Sequence, residues 1–132
     1  MTTRSIDRMI DANLNRLREA LRLLEDTQRY LFDNPTLSYA FKELRHKLTP
    51  LYDTSRLKSR DILNDVSKSS TESEMQRPNI EALIAANFSR ATESARVLEE
   101  AFKLVDTNAS ALAKEIRYTL YNLEKEVYKE LI

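Results

Sequence analysis

The chain contains no glycine, no cysteine and no tryptophan, and among its 132 residues it has three prolines and one histidine. Each absence removes a class of chemistry. Without glycine there is no Walker loop, no dinucleotide-binding fingerprint and no tight two-residue hairpin, because each needs positive φ or close backbone approach. A bound phosphate must then be held by side chains and helix N-termini. Without cysteine there is no disulfide framework, thiol nucleophile or thiolate zinc site. The charges cancel, 21 basic against 21 acidic, so the surplus of Lys and Arg that a general nucleic-acid binder uses to displace counterions is missing. No apolar run approaches membrane-spanning length, and no apolar segment follows the charged first twenty residues as in a secretory signal. A soluble, cytoplasmic protein with no nucleic-acid or membrane partner is expected.

What is present is a helical period used twice. Ile10, Leu14, Leu17, Leu21, Leu24, Gln28 and Leu31 alternate spacings of four and three, broken in character only by Gln28. The spacing predicts a first helix from Ser5, as N-cap, to Leu31, stopped by Asp33-Asn34-Pro35. Asn34 then caps a second helix through Leu37, Phe41, Leu44, Leu48 and Leu51, which Pro50 must end or kink. A third opens near Pro78 and repeats the first seam 74 residues later, from Ile84 to Val105. A fourth, from Asn108 or Ser110, repeats the second at an offset of 72 through Ala113, Ile116, Leu120 and Leu123, and adds Val127. The expected fold is therefore all-α, with two repeated helical hairpins forming a pseudo-twofold four-helix bundle. It would be a single helical domain over 1–132, with repeat one at about 5–56, a long polar middle loop at about 57–76 and repeat two at about 77–132. The long seams, with Tyr118, Tyr121 and Tyr128 outside them, would also suit a homodimer.

The repeat extends to polar residues. Asn13, Arg16, Glu19, Arg22 and Glu25 recur as Asn87, Arg90, Glu93, Arg96 and Glu99. A structural reading is a chain of i,i+3 ion pairs, Arg16 to Glu19 to Arg22 to Glu25, each worth about 0.2–0.5 kcal/mol. That reading suits Glu19 and Glu93, opposite the seam. Asn13, Arg16, Glu25 and their repeats sit nearer the seam edges, partly desolvated and within reach of a neighbouring helix or a ligand, so function and structure balance there. His46 with Glu43 gives one Glu-x-x-His, half of a di-metal bundle motif, and is read as an ordinary helix residue. The middle segment carries Arg56, Lys58 and Arg60, then Asp61 and Asp65, then Glu74 and Arg77. Cations grip phosphate oxygens and adjacent carboxylates hold Mg²⁺, so this mixture suits a nucleotide or pyrophosphate site, though a solvated loop explains the composition as well.

Read in order, Asp11-Ala12-Asn13 with Arg16, Glu19, Arg22 and Leu24-Glu25-Asp26, then Leu44-Arg45-His46, Ser59-Arg60-Asp61, Asp65-Val66, Thr71, Glu74 and Arg77, then the second ladder through Leu98-Glu99-Glu100, resembles one family. It is similar to the small helical hydroxymethylpyrimidine-phosphate kinases of thiamine biosynthesis, which occur alone or as an N-terminal extension of thiamine-phosphate synthase. Ser67 departs from the pattern, which has glycine there. The resemblance implies transfer of the γ-phosphoryl of ATP, with Mg²⁺, onto the monophosphate of 4-amino-5-hydroxymethyl-2-methylpyrimidine, and a functional link to thiamine-phosphate synthase. It implies Arg60 and Arg77, with Arg16 and Arg90, as phosphate clamps, and Asp61 and Asp65 as metal ligands. Asn13 and Asn87 would meet the aminopyrimidine edge, and Glu25 or Glu99 would orient an Arg or the exocyclic amine. Synthase chemistry itself is not expected, since its (β/α)₈ barrel needs about 200 residues or more. Two other readings remain open on the residues: a chorismate-mutase-like helical enzyme, which needs neither ATP nor metal, and a non-catalytic dimerisation or docking module.

Overall fold

A computed structural model describes residues 2–71 and 75–131, and among them the chain is helical with no strand. Four long helices carry it: α1 (Thr3–Asp26), α2 (Pro35–His46), α3 (Ile80–Phe102) and α4 (Thr107–Leu131). The caps follow the side-chain chemistry. Thr2 rather than Ser5 caps α1, its hydroxyl accepting from the Ser5 amide at 3.2 Å. Asn34 accepts from Leu37 N–H at 3.0 Å with Pro35 in the first turn of α2. Asn79 accepts from Ala82 N–H at 2.8 Å, so α3 begins two residues beyond Pro78. Asp106 accepts from the amides of Asn108 and Ala109 at the start of α4. Each cap supplies an acceptor to amides that have no partner within the helix.

The first helix does not reach Leu31 as an α-helix. Thr27–Leu31 widens into a π-turn, in which the Phe32 amide bonds the Thr27 carbonyl at 3.1 Å. Asn34 N–H then reaches back to the Gln28 carbonyl at 2.8 Å. Between them Asp33 sits at φ 50°, the one left-handed residue among those described. A glycine-free chain makes this reversal with Asp, one of the few other residues that tolerate it. Asp33→Val is expected to lower stability in urea by about 1–2 kcal/mol, the cost of a Cβ-branched residue there, whereas Asp33→Gly stays within about 0.5 kcal/mol of the parent. The second helix likewise stops early, at His46, and Thr49–Leu51 continues as a short 3₁₀ turn that still buries Leu48 and Leu51.

One continuous core joins the four seams, with Phe41, Phe88 and Phe102 as its largest buried rings. Phe41 and Phe88 tilt against each other with centroids 5.8 Å apart. Gln28 is buried although polar, and its side-chain amide has no partner, where repeat two has Phe102. The seam ends Leu31 and Val105 fall outside the core, half exposed, because each lies beyond the last regular turn of its helix. Helices α1 and α3 pack centrally, with α2 against α1 and α4 against α3. Asn34 at the start of α2 bonds Glu130 near the end of α4, and Lys47 just after α2 pairs with Glu115 at 3.1 Å, so α2 and α4 run antiparallel. The hairpin turns then make α1 and α3 antiparallel too, and the bundle has a pseudo-twofold axis across that central pair. No helix among the described residues is long and apolar enough to cross a membrane.

The middle segment holds one element without a hydrophobic period, a 3₁₀ helix at Thr54–Ser59 packed on α1. Arg56 anchors it. Its guanidinium donates to the Leu51 carbonyl at 2.6 Å, approaches Asp7 at 3.9 Å and lies over the Phe102 ring. Of the three loop cations, Arg56 therefore has a structural place rather than a free one.

Candidate functional site

Because α1 and α3 are antiparallel, equivalent positions on the two helices meet where they cross. Arg16 and Arg90, one repeat apart, line a single cavity of about 530 Å³ there, with Asn13 and Glu93. Arg16 and Asn13 also line an adjoining cavity of about 470 Å³, together with Arg60, Asp61 and Asp65. The two make one cleft, running from the central helix pair to the segment that follows the 3₁₀ helix. Both sizes fall in the range of small-ligand sites.

Side-chain hydrogen bonds fix what the cleft presents. Asn13 donates its amide N–H to the Met9 carbonyl one turn back, at 2.8 Å, and its Oδ1 accepts from Arg16 Nη1 at 3.4 Å. Asn87 repeats the bond, donating to the Leu83 carbonyl at 2.9 Å, but does not line either cavity. Arg60 is gripped through both edges of its fork, Nε and Nη2 donating to the Asp11 carboxylate at 2.7 and 2.8 Å. That bidentate bond favours the charged guanidinium and fixes its plane. Asp61 accepts from the side chain and backbone of Asn64, which hold its carboxyl below the usual range, aided by Arg8 and Arg4, so it stands ionised at the rim. Asp65 accepts from Ser67 N–H at 2.9 Å. No group of three or more metal-binding side chains occurs among the described residues. Two rim carboxylates fit Mg²⁺ only in the way that ion is held with nucleotides, by one or two carboxylates with substrate phosphates and water completing the shell.

Other sequence candidates lie elsewhere. Arg77 donates to the Gln76 carbonyl and lines neither cavity; Glu74 lies outside the described residues. Glu25 and Glu99, both buried, belong to the hairpins. Glu25 accepts from Arg45 Nε at 3.0 Å, tying α1 to α2, and Glu99 accepts from Arg117 Nη2 at 2.9 Å and from Arg96 at 2.8 Å, tying α3 to α4. The expected i,i+3 chain along α1 does not form; Arg22 instead approaches Asp26 at 3.8 Å, and on α3 only the Arg96–Glu99 step exists. His46 is exposed, as an ordinary helix residue. Sequence reasoning missed Asp11 as the holder of Arg60 and Arg45 and Arg117 as the partners of the buried glutamates. The duplication of Arg45 as Arg117 was a visible signal for the latter.

A family model, the ThiD2 family, matches residues 8–126. The chain is 41% identical over 121 residues to a thiamine-phosphate synthase of Synechocystis sp., covering 91% of this chain and 35% of that protein. It is similar also to thiamine-phosphate synthases of Nostoc punctiforme, at 36% identity with 91% and 34% coverage, and of Thermosynechococcus vestitus, at 39% with 89% and 34%. The chain thus spans about a third of the length of these relatives. No solved structure matches it.

Proposed function

The chain belongs to the ThiD2 family, and from that premise we propose that it acts in thiamine biosynthesis as an ATP-dependent kinase of 4-amino-5-hydroxymethyl-2-methylpyrimidine phosphate, forming the pyrophosphate. The observation that carries the reading is the convergence of the duplicated Arg16 and Arg90 on one cleft that Arg60 and two carboxylates complete. The relatives' name, thiamine-phosphate synthase, supports the pathway, while the shared third of their length is the helical part and holds no barrel.

The reaction makes few demands that this cleft does not answer. An oxygen of the acceptor monophosphate attacks the γ-phosphorus, one P–O bond forms, and the bond to ADP breaks. A phosphate monoester is largely dianionic near neutral pH, so its attacking oxygen needs no general base. The barrier is the approach of two polyanions, and catalysis consists of positioning and charge neutralisation. Arg16 and Arg90 supply two cations from opposite helices, and Arg60 a third whose plane Asp11 has already set. Asp61 and Asp65 would hold Mg²⁺, which would supply positive charge against the phosphate oxygens. Asn13 Oδ1 accepts from Arg16 and keeps a second lone pair for the exocyclic amine of the pyrimidine.

Purified chain given ATP, Mg²⁺ and the pyrimidine monophosphate is expected to form ADP and the pyrimidine pyrophosphate in equal amounts. Folded protein that forms neither overturns the proposal. A chorismate-mutase activity would proceed without ATP or metal, and a docking module would turn over nothing.

A further inference from the structure

The largest cavity among those described, about 710 Å³, shares no lining residue with the cleft. It opens between the end of α1 and the start of α2, and its walls carry four cations, Arg22, Arg29, Lys42 and Arg45, against two carboxylates, Glu25 and Asp33. Glu25 is engaged by Arg45. Repeat two supplies an internal comparison for the rest, since every one of these cations has an equivalent there: Arg96, Lys103, Lys114 and Arg117.

In repeat two those cations are consumed. Glu100 pairs with both Arg96, at 3.3 Å, and Lys103, at 2.8 Å. Its counterpart in repeat one is Asp26, one methylene shorter, which approaches Arg22 only at 3.8 Å, and among the described residues Arg29 has no hydrogen bond or ion pair, only the Tyr30 ring. Lys114 and Arg117 lie over Tyr118, and Arg117 also over Tyr121; repeat one has His46 and Thr49 at those positions, and Lys42 has no partner among the described residues. Ser110 locks α4 to α3 through a 2.7 Å bond to the Glu99 carbonyl, whereas its equivalent, Ser38, faces the open cavity without such a bond. So Arg96, Lys103 and Arg117 have close carboxylate partners in one hairpin, whereas in the other Arg22 has only a 3.8 Å approach to Asp26, and Arg29 and Lys42 have no carboxylate partner among the described residues.

We propose that this cavity is a second anion site, separate from the cleft, which takes a small molecule bearing a pyrophosphate group. Arg22, Arg29 and Lys42 have no carboxylate nearer than 3.8 Å among the described residues, so even with Asp33 in the same wall the cavity presents cations that a multiply charged anion can engage, and guanidinium forks suit phosphoryl oxygens. Tyr39, 62% exposed at the rim, offers a ring face to a base attached to such a group. The source is then a nucleoside diphosphate or another pyrophosphate ester.

Calorimetric titration of the full chain with inorganic pyrophosphate and, separately, with ADP tests this. An Arg16→Ala/Arg60→Ala variant, with the cleft weakened, is expected to retain one binding event with a Kd within about 2-fold of the parent's second site. Adding Arg29→Gln/Lys42→Gln should weaken that event by about 10-fold or more, while Lys103→Gln/Lys114→Gln at the equivalent positions changes it by less than about 2-fold. Tighter binding of ADP than of pyrophosphate identifies a nucleotide as the source, and equal binding identifies the pyrophosphate group alone; either supports the site. Loss of all binding in the cleft variant, indifference to Arg29→Gln/Lys42→Gln, or equal sensitivity to Lys103→Gln/Lys114→Gln overturns it. Kinase activity enters none of these readouts, so the two proposals fail independently.

Discussion

Arg60→Ala is expected to lower kcat for pyrimidine-phosphate phosphorylation by about 10²–10³-fold, the usual consequence of removing one preorganised donor from developing charge. The expectation rests on geometry. A long cation on an extended segment would ordinarily lose conformational entropy on meeting phosphate, but the two bonds to Asp11 have already fixed its plane beside the cleft. Arg60→Lys keeps the charge and forfeits the fork, so it should recover only part of the loss, because an ammonium cannot hold Asp11 and a phosphate oxygen in one plane. Asp11→Asn leaves the guanidinium present but less firmly aimed, and a smaller fall of about 10-fold is expected, in kcat more than in KM. Glu43→Ala, exposed on α2 and away from the cleft, should change turnover by less than about 2-fold. Equal losses for Arg60→Ala and Glu43→Ala would remove Arg60 from the site whether or not the activity exists.

How much of this the sequence could reveal depended on the range of each interaction. The seams were legible because a buried face repeats every three or four residues, and twice over at offsets of 74 and 72 the pattern has little room for another fold. The π-turn at Thr27–Leu31 was not, since its residues keep the helical spacing and only the hydrogen-bond step changes. Thr54–Ser59 was too short and too polar to show a period. Among the polar residues, Arg16 and Arg90 announced themselves by duplication, and antiparallel packing brings equivalent positions together at the crossing. The glutamates were ambiguous from sequence because what settles their environment is a partner on another helix, 20 residues from Glu25 and 18 from Glu99. The Arg60–Asp11 bond spans 49 residues and has no local signature at all.

Those buried glutamates carry the largest expected effect on stability. Glu99→Ala should cost about 2–3 kcal/mol in urea denaturation, because it leaves Arg117, 12% exposed, without its carboxylate in the α3–α4 hairpin. Glu100→Gln, one residue on and at the surface, should leave the midpoint unchanged. Removing both charges with Glu99→Leu/Arg117→Met is expected to regain most of the loss, since the penalty lies in the stranded cation rather than in the missing attraction. The pH dependence gives an independent reading. Burial alone would push Glu99 up, but the hydrogen bonds from Arg96 and Arg117 outweigh it and hold the carboxyl below its ordinary 4.5. The unfolded chain therefore takes up this proton at higher pH than the folded one. The stabilisation is complete above about pH 4.5 and drains away as pH falls through the lower folded value. Glu99→Gln should flatten that acid limb of the stability curve while leaving the neutral limb merely lower. A limb as steep as the parent's would mean that other carboxylates, not this one, take up the protons that unfold the bundle.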